Sequence, residues 1–96
     1  MKLTGFDWDN GNWPKCAKHG LTRNEVEEAL LSDPHVLADP KSTPEEARMN
    51  AVGRTKAGRH VFVVFTLRQR GSETTMRPIS ARFMHDKEVR HYERQA

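Results

Sequence analysis

Apolar positions along the chain follow two different periods, and the change from one to the other divides a helical first part from a strand-rich second part. Residues 3–8 read as a short strand or extended lead-in. Residues 12–19 read as a short helix, with Asn12 as N-cap and Pro14 tolerated in the first turn. Gly20 is placed to end that helix in left-handed geometry. The next helix has the clearest local signature. Thr22 and Glu25 form a T-x-x-E capping box, and Leu21 can pack on Val26 as a hydrophobic staple. Val26, Ala29 and Leu30 then share one face while Glu27 and Glu28 turn outward. Ser32-Asp33-Pro34 ends the helix, because a residue before proline avoids helical geometry.

Residues 36–38 suit a short edge strand, and residues 39–46 a polar loop where disorder is expected first. Three strands follow, over residues 47–55, 60–68 and 74–83. In the first, Met49 and Ala51 lie on one face and Val52 on the other. The second carries Val61, Phe62, Val63, Val64 and Phe65, a continuous apolar run that predicts a central strand buried on both faces. In the third, Ile79, Ala81 and Phe83 alternate with Ser80 and Arg82, and Pro78 argues for an edge position or a bulge. His85-Asp86 opens a last helix with Asp86 as N-cap, placing Val89 and Tyr92 on one face. The prediction is an α+β domain: two N-terminal helices, an antiparallel three- to four-stranded sheet and a C-terminal helix, with the helices on one face of the sheet.

Composition narrows the class. With 96 residues the chain fits a single domain, 1–96, with one modest core; 35% hydrophobic and 30% charged residues make it polar without reaching the disordered extreme. It has no apolar run near the roughly 20 residues that span a bilayer and no signal-peptide stretch, so a soluble, cytoplasmic protein is expected. Cys16 is the single cysteine. Lys15 and Lys18 beside it would lower its pKa, but no base partner adjoins it and a nucleophilic thiol is not expected. The net charge of +3 and pI near 9.4 permit a polyanionic partner. Arginines crowd the second half, at 48, 54, 59, 68, 70, 77, 82, 90 and 94, and a guanidinium fork suits phosphate. A solvated basic surface without a ligand is the alternative.

Four segments together resemble the BrnT toxin family. Phe6-Asp7-Trp8-Asp9 with Asn12-Trp13-Pro14-Lys15-Cys16-Ala17-Lys18-His19-Gly20 is similar to the family's opening, and Ser32-Asp33-Pro34 to the end of its long helix. Ala51-Val52-Gly53-Arg54-Thr55 resembles its A-[IV]-G-R-[ST] strand, and Arg77-Pro78-Ile79-Ser80-Ala81-Arg82, continuing to Glu88 and Tyr92-Glu93, its C-terminal part. The segments span nearly the whole chain in order. Pro14 departs from the helix former usual at its place, and Pro78 from a β-branched residue. The resemblance implies a RelE-like fold, metal-independent endoribonuclease activity and no cofactor. It further implies a BrnA-type ribbon-helix-helix antitoxin as partner, RNA as substrate, and contact with operator DNA only through the antitoxin.

Cutting RNA without a metal requires a base for the 2′-OH proton, cations for the phosphorane and an acid for the leaving 5′-oxygen. Arg54 and Arg82 are the candidate phosphate clamps, since strands hold a site firmly. His19, His60, His85 and His91 are candidate acids or bases, while His35 reads as structural. Glu88 is a candidate base one helical turn from Tyr92, which either stacks on a nucleobase or packs on the sheet. Lys15, Lys18, Arg68 and Arg77 are candidate RNA contacts; Trp8 and Trp13 are read as core anchors. The sequence has no H-E-x-x-H, paired-cysteine, G-x-S-x-G or phosphate-loop pattern. Glu25, Glu27 and Glu28 argue against a helix-turn-helix reading of the second helix. The rival function is a catalytically inactive basic module that pairs with an antitoxin or RNA through the same arginines.

Overall fold

The structure, a computed structural model, describes residues 3–95, the side chains of Leu3, Thr4 and Arg70 excepted. The remaining residues of the expected 1–96 domain, Met1, Lys2 and Ala96, lie outside that range. Eight elements follow one another: β1 (Leu3–Phe6), α1 (Trp13–Ala17), α2 (Arg23–Leu31), β2 (His35–Ala38), β3 (Arg48–Arg54), β4 (His60–Arg70), β5 (Glu73–Phe83) and α3 (Asp86–Gln95). The strands form one five-stranded sheet in the order β1-β5-β4-β3-β2. The α+β class holds, but the sheet has five strands rather than three to four and is mixed rather than antiparallel: β1 runs parallel to β5, pairing Leu3 with Thr74 and Phe6 with Met76. A parallel neighbour must arrive by a long crossover, and here the chain leaves β1 through both helices and three strands before β5 returns beside it. Local pattern carries no trace of such a pairing.

The apolar run in β4 lies at the centre of the sheet, as its continuity requires. Register sorts the side chains into two faces. Ala51, Val63 and Ala81 stand in one row across β3, β4 and β5, with Gly53 and Val61 in the next, on the face that carries α1 and α2. Into it α2 presses Val26, Ala29 and Leu30, all buried, and burial of a valine or leucine contributes about 1.5–3 kcal/mol. Cys16, Leu21, Phe65 and Met76 complete this core, with Trp8 and Trp13 packed against it. The two indoles meet edge to face at 5.4 Å beneath the Arg23 guanidinium, and Trp8 Nε1 donates to Glu27 Oε2 at 2.8 Å. The tryptophans are anchors, as expected.

The predicted capping box is present: Glu25 N donates to Thr22 Oγ1 at 3.1 Å and Thr22 N to Glu25 Oε1 at 2.9 Å. Gly20 adopts φ +87°, the left-handed geometry expected after α1. Asn12 precedes α1, but its side chain does not cap the helix. It accepts from Asp9 N at 2.8 Å and donates to the carbonyls of Asp7 and Pro78 at 2.8 and 2.7 Å, joining the N-terminal turn to β5. Pro78 sits at a bulge, since β4 pairs Val64 with Ser80 but Phe65 with Pro78. The bulge leaves Ile79 as the extra residue and breaks the alternation expected through it. Two further expectations change at the C-terminus. His85, not Asp86, occupies the N-cap of α3: its carbonyl accepts from Val89 N, and its N–H donates to the Glu88 side chain at 3.0 Å. And α3 lies on the sheet face opposite α1 and α2.

Candidate functional site

That second face is built from the residues alternating with the core: Val52, Phe62 and Arg82 in one row, Arg54 and His60 in the next. No residue of α3 is fully buried, so the helix rests on this face through a few specific contacts. Arg82 forms a two-pronged pair with Glu88, 2.8 and 2.9 Å, and its guanidinium stands 5.1 Å from the centre of the Phe62 ring. The Tyr92 ring lies edge to face with His35 at 6.0 Å and with His60 at 6.1 Å. Glu93 approaches Arg54 at 3.7 Å.

Tyr92 and Glu93 form one side of an open cleft of about 380 Å³ that is lined also by His35, Val52, Arg54 and His60, among others. Arg54 reaches it from the end of β3, where Ser32 Oγ accepts its backbone N–H at 3.0 Å. Its Nε donates to His60 Nε2 at 3.2 Å. Arginine has no acceptor, so His60 Nε2 must present its lone pair to Arg54. The cleft therefore holds a fixed cation directly beside an imidazole lone pair, with a second imidazole across Tyr92.

The remaining candidates fall into three places. Beside the cleft, Glu88 is held down to about 2, chiefly by the Arg82 guanidinium and then by the His85 N–H. A carboxylate so stabilised is a weak base, and its geometry suits it to orient Arg82. His85 is exposed at the start of α3, and His91 is exposed on the same helix. His19 comes to the other side of Arg82, where the two line a small hollow with Phe62 and Ser80. Lys15 and Lys18 are exposed on and just after α1, which packs on β5 from the core side of the sheet. Arg68 and Arg77 lie toward the opposite end: Phe62, beside Arg82, is six residues along β4 from Arg68, roughly 20 Å. Arg77 is engaged there, with both prongs on Asp9 at 3.0 Å and Asp7 at 3.7 Å. The same pair holds Asp9 down to about 2.

Cys16 is buried in the core, and desolvation pushes its thiol up to about 11, outweighing any effect of the flanking lysines. His35, read from the sequence as structural, and Glu93, given no role there, also line the cleft. Each lies in an element whose face toward the cleft depends on strand pairing, β2 with β3 for His35 and α3 over the second sheet face for Glu93. Among the described residues no three His, Cys, Asp or Glu side chains are grouped to hold a metal ion, and no helix is long and apolar enough to cross a membrane.

On one sheet face the small α+β domain gathers arginine, imidazole and phenol side chains. Its family is identified by a profile described as "Ribonuclease toxin, BrnT, of type II toxin-antitoxin system", which matches residues 8–88. The chain belongs to this BrnT toxin family, and membership implies a ribonuclease activity in general and an antitoxin partner. No curated protein matches the chain.

Proposed function

We propose that this protein is a cytoplasmic, metal-independent endoribonuclease toxin that arrests growth by cutting RNA at the cleft beneath α3. The observation that carries the reading is the contact of Arg54 with His60 Nε2, in a cleft shared with Tyr92 and His35. A substrate phosphate draws the Arg54 guanidinium onto its oxygens and releases the His60 lone pair. His60 then takes the 2′-OH proton, the 2′-oxygen attacks phosphorus, and the bond to the 5′-oxygen breaks. His35 donates a proton to that leaving oxygen. The products are a 2′,3′-cyclic phosphate and a 5′-hydroxyl end. Arg54 and Arg82 offset the charge that builds on the phosphorane, and Glu88 positions Arg82 for this. Tyr92 offers its ring to a nucleobase, His19 flanks Arg82, and His85 holds the start of α3. Outside the cleft, Lys15, Lys18 and Arg68 extend the cationic surface along an RNA strand.

The fold belongs with RelE-like ribonucleases in this reading, and the antitoxin is a BrnA-type ribbon-helix-helix protein that alone contacts operator DNA. Expression of the chain by itself in a bacterial host tests the reading, with growth and total RNA followed together. Arrest with fragmented RNA is expected. Arg54→Ala and His60→Ala should each reduce cutting at least 100-fold, in the range of a lost acid–base or electrostatic group. One observation favours an inactive binding module instead: Glu88 and Glu93 already occupy the two clamp arginines. Normal growth and intact RNA, with the protein folded, would establish that second reading.

A further inference from the structure

On the far side of Tyr92 a second hollow of about 220 Å³ opens between α3 and the sheet, walled by His35, Leu37, Val52, Phe62 and Tyr92. It shares His35, Val52 and Tyr92 with the cleft, so whatever enters it adjoins the phosphate site. Apolar and aromatic side chains make up most of its lining, and its polar groups are His35, Gln95 and Asn50, which stands beside Leu37 in the β2–β3 register. The Asn50 Oδ1 atom is buried and has no hydrogen-bond partner among the described residues. A buried acceptor left unpaired is costly, and such atoms are rare in folded proteins. Leu37 at the rim is 62% exposed, an apolar side chain left uncovered at the mouth.

We propose that this hollow is a nucleobase pocket that takes one unstacked adenine of the RNA, with Asn50 as its specificity-determining residue. The inference rests on the ribonuclease reading above and names the substrate feature next to the cut. A flat base fits a space walled by three rings, and covers Leu37 as it enters. The carboxamide, whose Oδ1 is shielded from solvent in the unliganded chain, turns into the hollow to meet the base edge to edge. Oδ1 accepts from the exocyclic N6 amine and Nδ2 donates to the neighbouring ring nitrogen, the pairing for which asparagine and adenine are matched. Guanine puts a carbonyl at the place of that amine, facing Oδ1 acceptor to acceptor.

The test titrates the isotope-labelled chain with 3′-AMP, 3′-GMP, 3′-CMP, 3′-UMP and the 3′-monophosphate of purine riboside, which lacks the N6 amine, followed by NMR. 3′-AMP should shift Asn50, Leu37 and Tyr92 and bind about tenfold tighter than the others, the discrimination expected of one bidentate contact. Asn50→Leu should remove that preference while leaving the melting temperature at or above that of the unaltered chain, because the unpaired acceptor is gone. A structural asparagine would behave oppositely, losing stability on replacement. Equal binding of all five nucleotides, shifts away from the pocket, or a preference that survives Asn50→Leu overturns the proposal. These results separate from the parent reading: selective 3′-AMP binding with RNA left intact sinks the ribonuclease and keeps the pocket, whereas cutting without base preference does the reverse.

Discussion

Replacing Gly53 by alanine puts a methyl group where α2 already lies. Gly53 sits in β3 at the crossing point of that helix, and a Cβ built on it overlaps the Ala29 carbonyl oxygen. It also comes within 2.7 Å of the Ala29 carbonyl carbon and 3.0 Å of Ser32 Oγ. Ordinary carbon contacts need about 3.5 Å, so α2 must lift by roughly 1 Å or β3 must bend. Neither obstacle is the end of a flexible side chain: Ala29 offers backbone, and Ser32 Oγ is already bonded to Ala29 O at 2.7 Å and to Arg54 N at 3.0 Å. Lifting the helix opens the contacts of Val26, Ala29 and Leu30 with the sheet. Overpacking of this kind costs about 1–3 kcal/mol, and with backbone on both sides the upper end applies. For a domain of this size about 3 kcal/mol lowers the melting temperature by roughly 15 °C. Equilibrium urea denaturation followed by circular dichroism measures the loss directly. Gly58→Ala is the control: its φ of +87° is strained for alanine but nothing stands within 4 Å, so about 1 kcal/mol is expected. A Gly53→Ala loss below 1 kcal/mol, or one no larger than that of Gly58→Ala, would refute the claim that helix approach dictates this glycine.

Other consequences are measurable in the same way. Asn12→Ala removes one acceptor and two donors from a residue only 3% exposed, and should cost about 2 kcal/mol in urea denaturation; a loss under 0.5 kcal/mol, within the ±0.5 kcal/mol of ordinary surface changes, would show that water replaces those bonds freely. Glu88 is depressed from 4.5 to about 2, so its pair with Arg82 stabilises fully above pH 4.5 and fades as pH falls toward 2. Because both side chains are more than a third exposed, screening limits that contribution to about 1 kcal/mol. Glu88→Gln should therefore be less stable than the unaltered chain at pH 7, with the gap closing as pH falls from 4.5 through about 2, and a gap of constant size would contradict the assignment. Cys16, buried and raised to about 11, should resist a thiol-specific disulfide reagent at pH 8 until the chain unfolds. Rapid labelling of the folded protein would mean that α1 opens far more readily than its packing implies.

Much of the local structure was legible because its causes are local. The capping box of α2 needs only Thr22 and Glu25 three residues apart, the left-handed stop only Gly20, and the central position of β4 only a continuous apolar run. Pro78 announced an edge position or a bulge because its ring removes a ladder donor wherever it falls, and of the two the bulge is present, since β5 lies between β1 and β4. The N-cap of α3 was misread by one residue, since His85 is an unusual cap and Glu88 supplies the bond by reaching back. Of the residues the sequence marks for catalysis, Arg54, His60 and Tyr92 line one cleft with the Arg82–Glu88 pair beside it, while the places of His35 and Glu93 there emerged only with the tertiary structure.

The sequence by itself determined the kinds of element, their order, the α+β class and the family, because hydrophobic period, caps and turn residues act over a few positions and motif order is a property of the chain. Only the tertiary structure decided that β1 lies parallel to β5, that α3 crosses to the face opposite α1 and α2, and that Arg54 meets His60 while Arg77 is bound to Asp9. The reason is physical: each depends on which strands pair and in what register, and a register is chosen by the whole sheet's burial at once rather than by any residue's own preference.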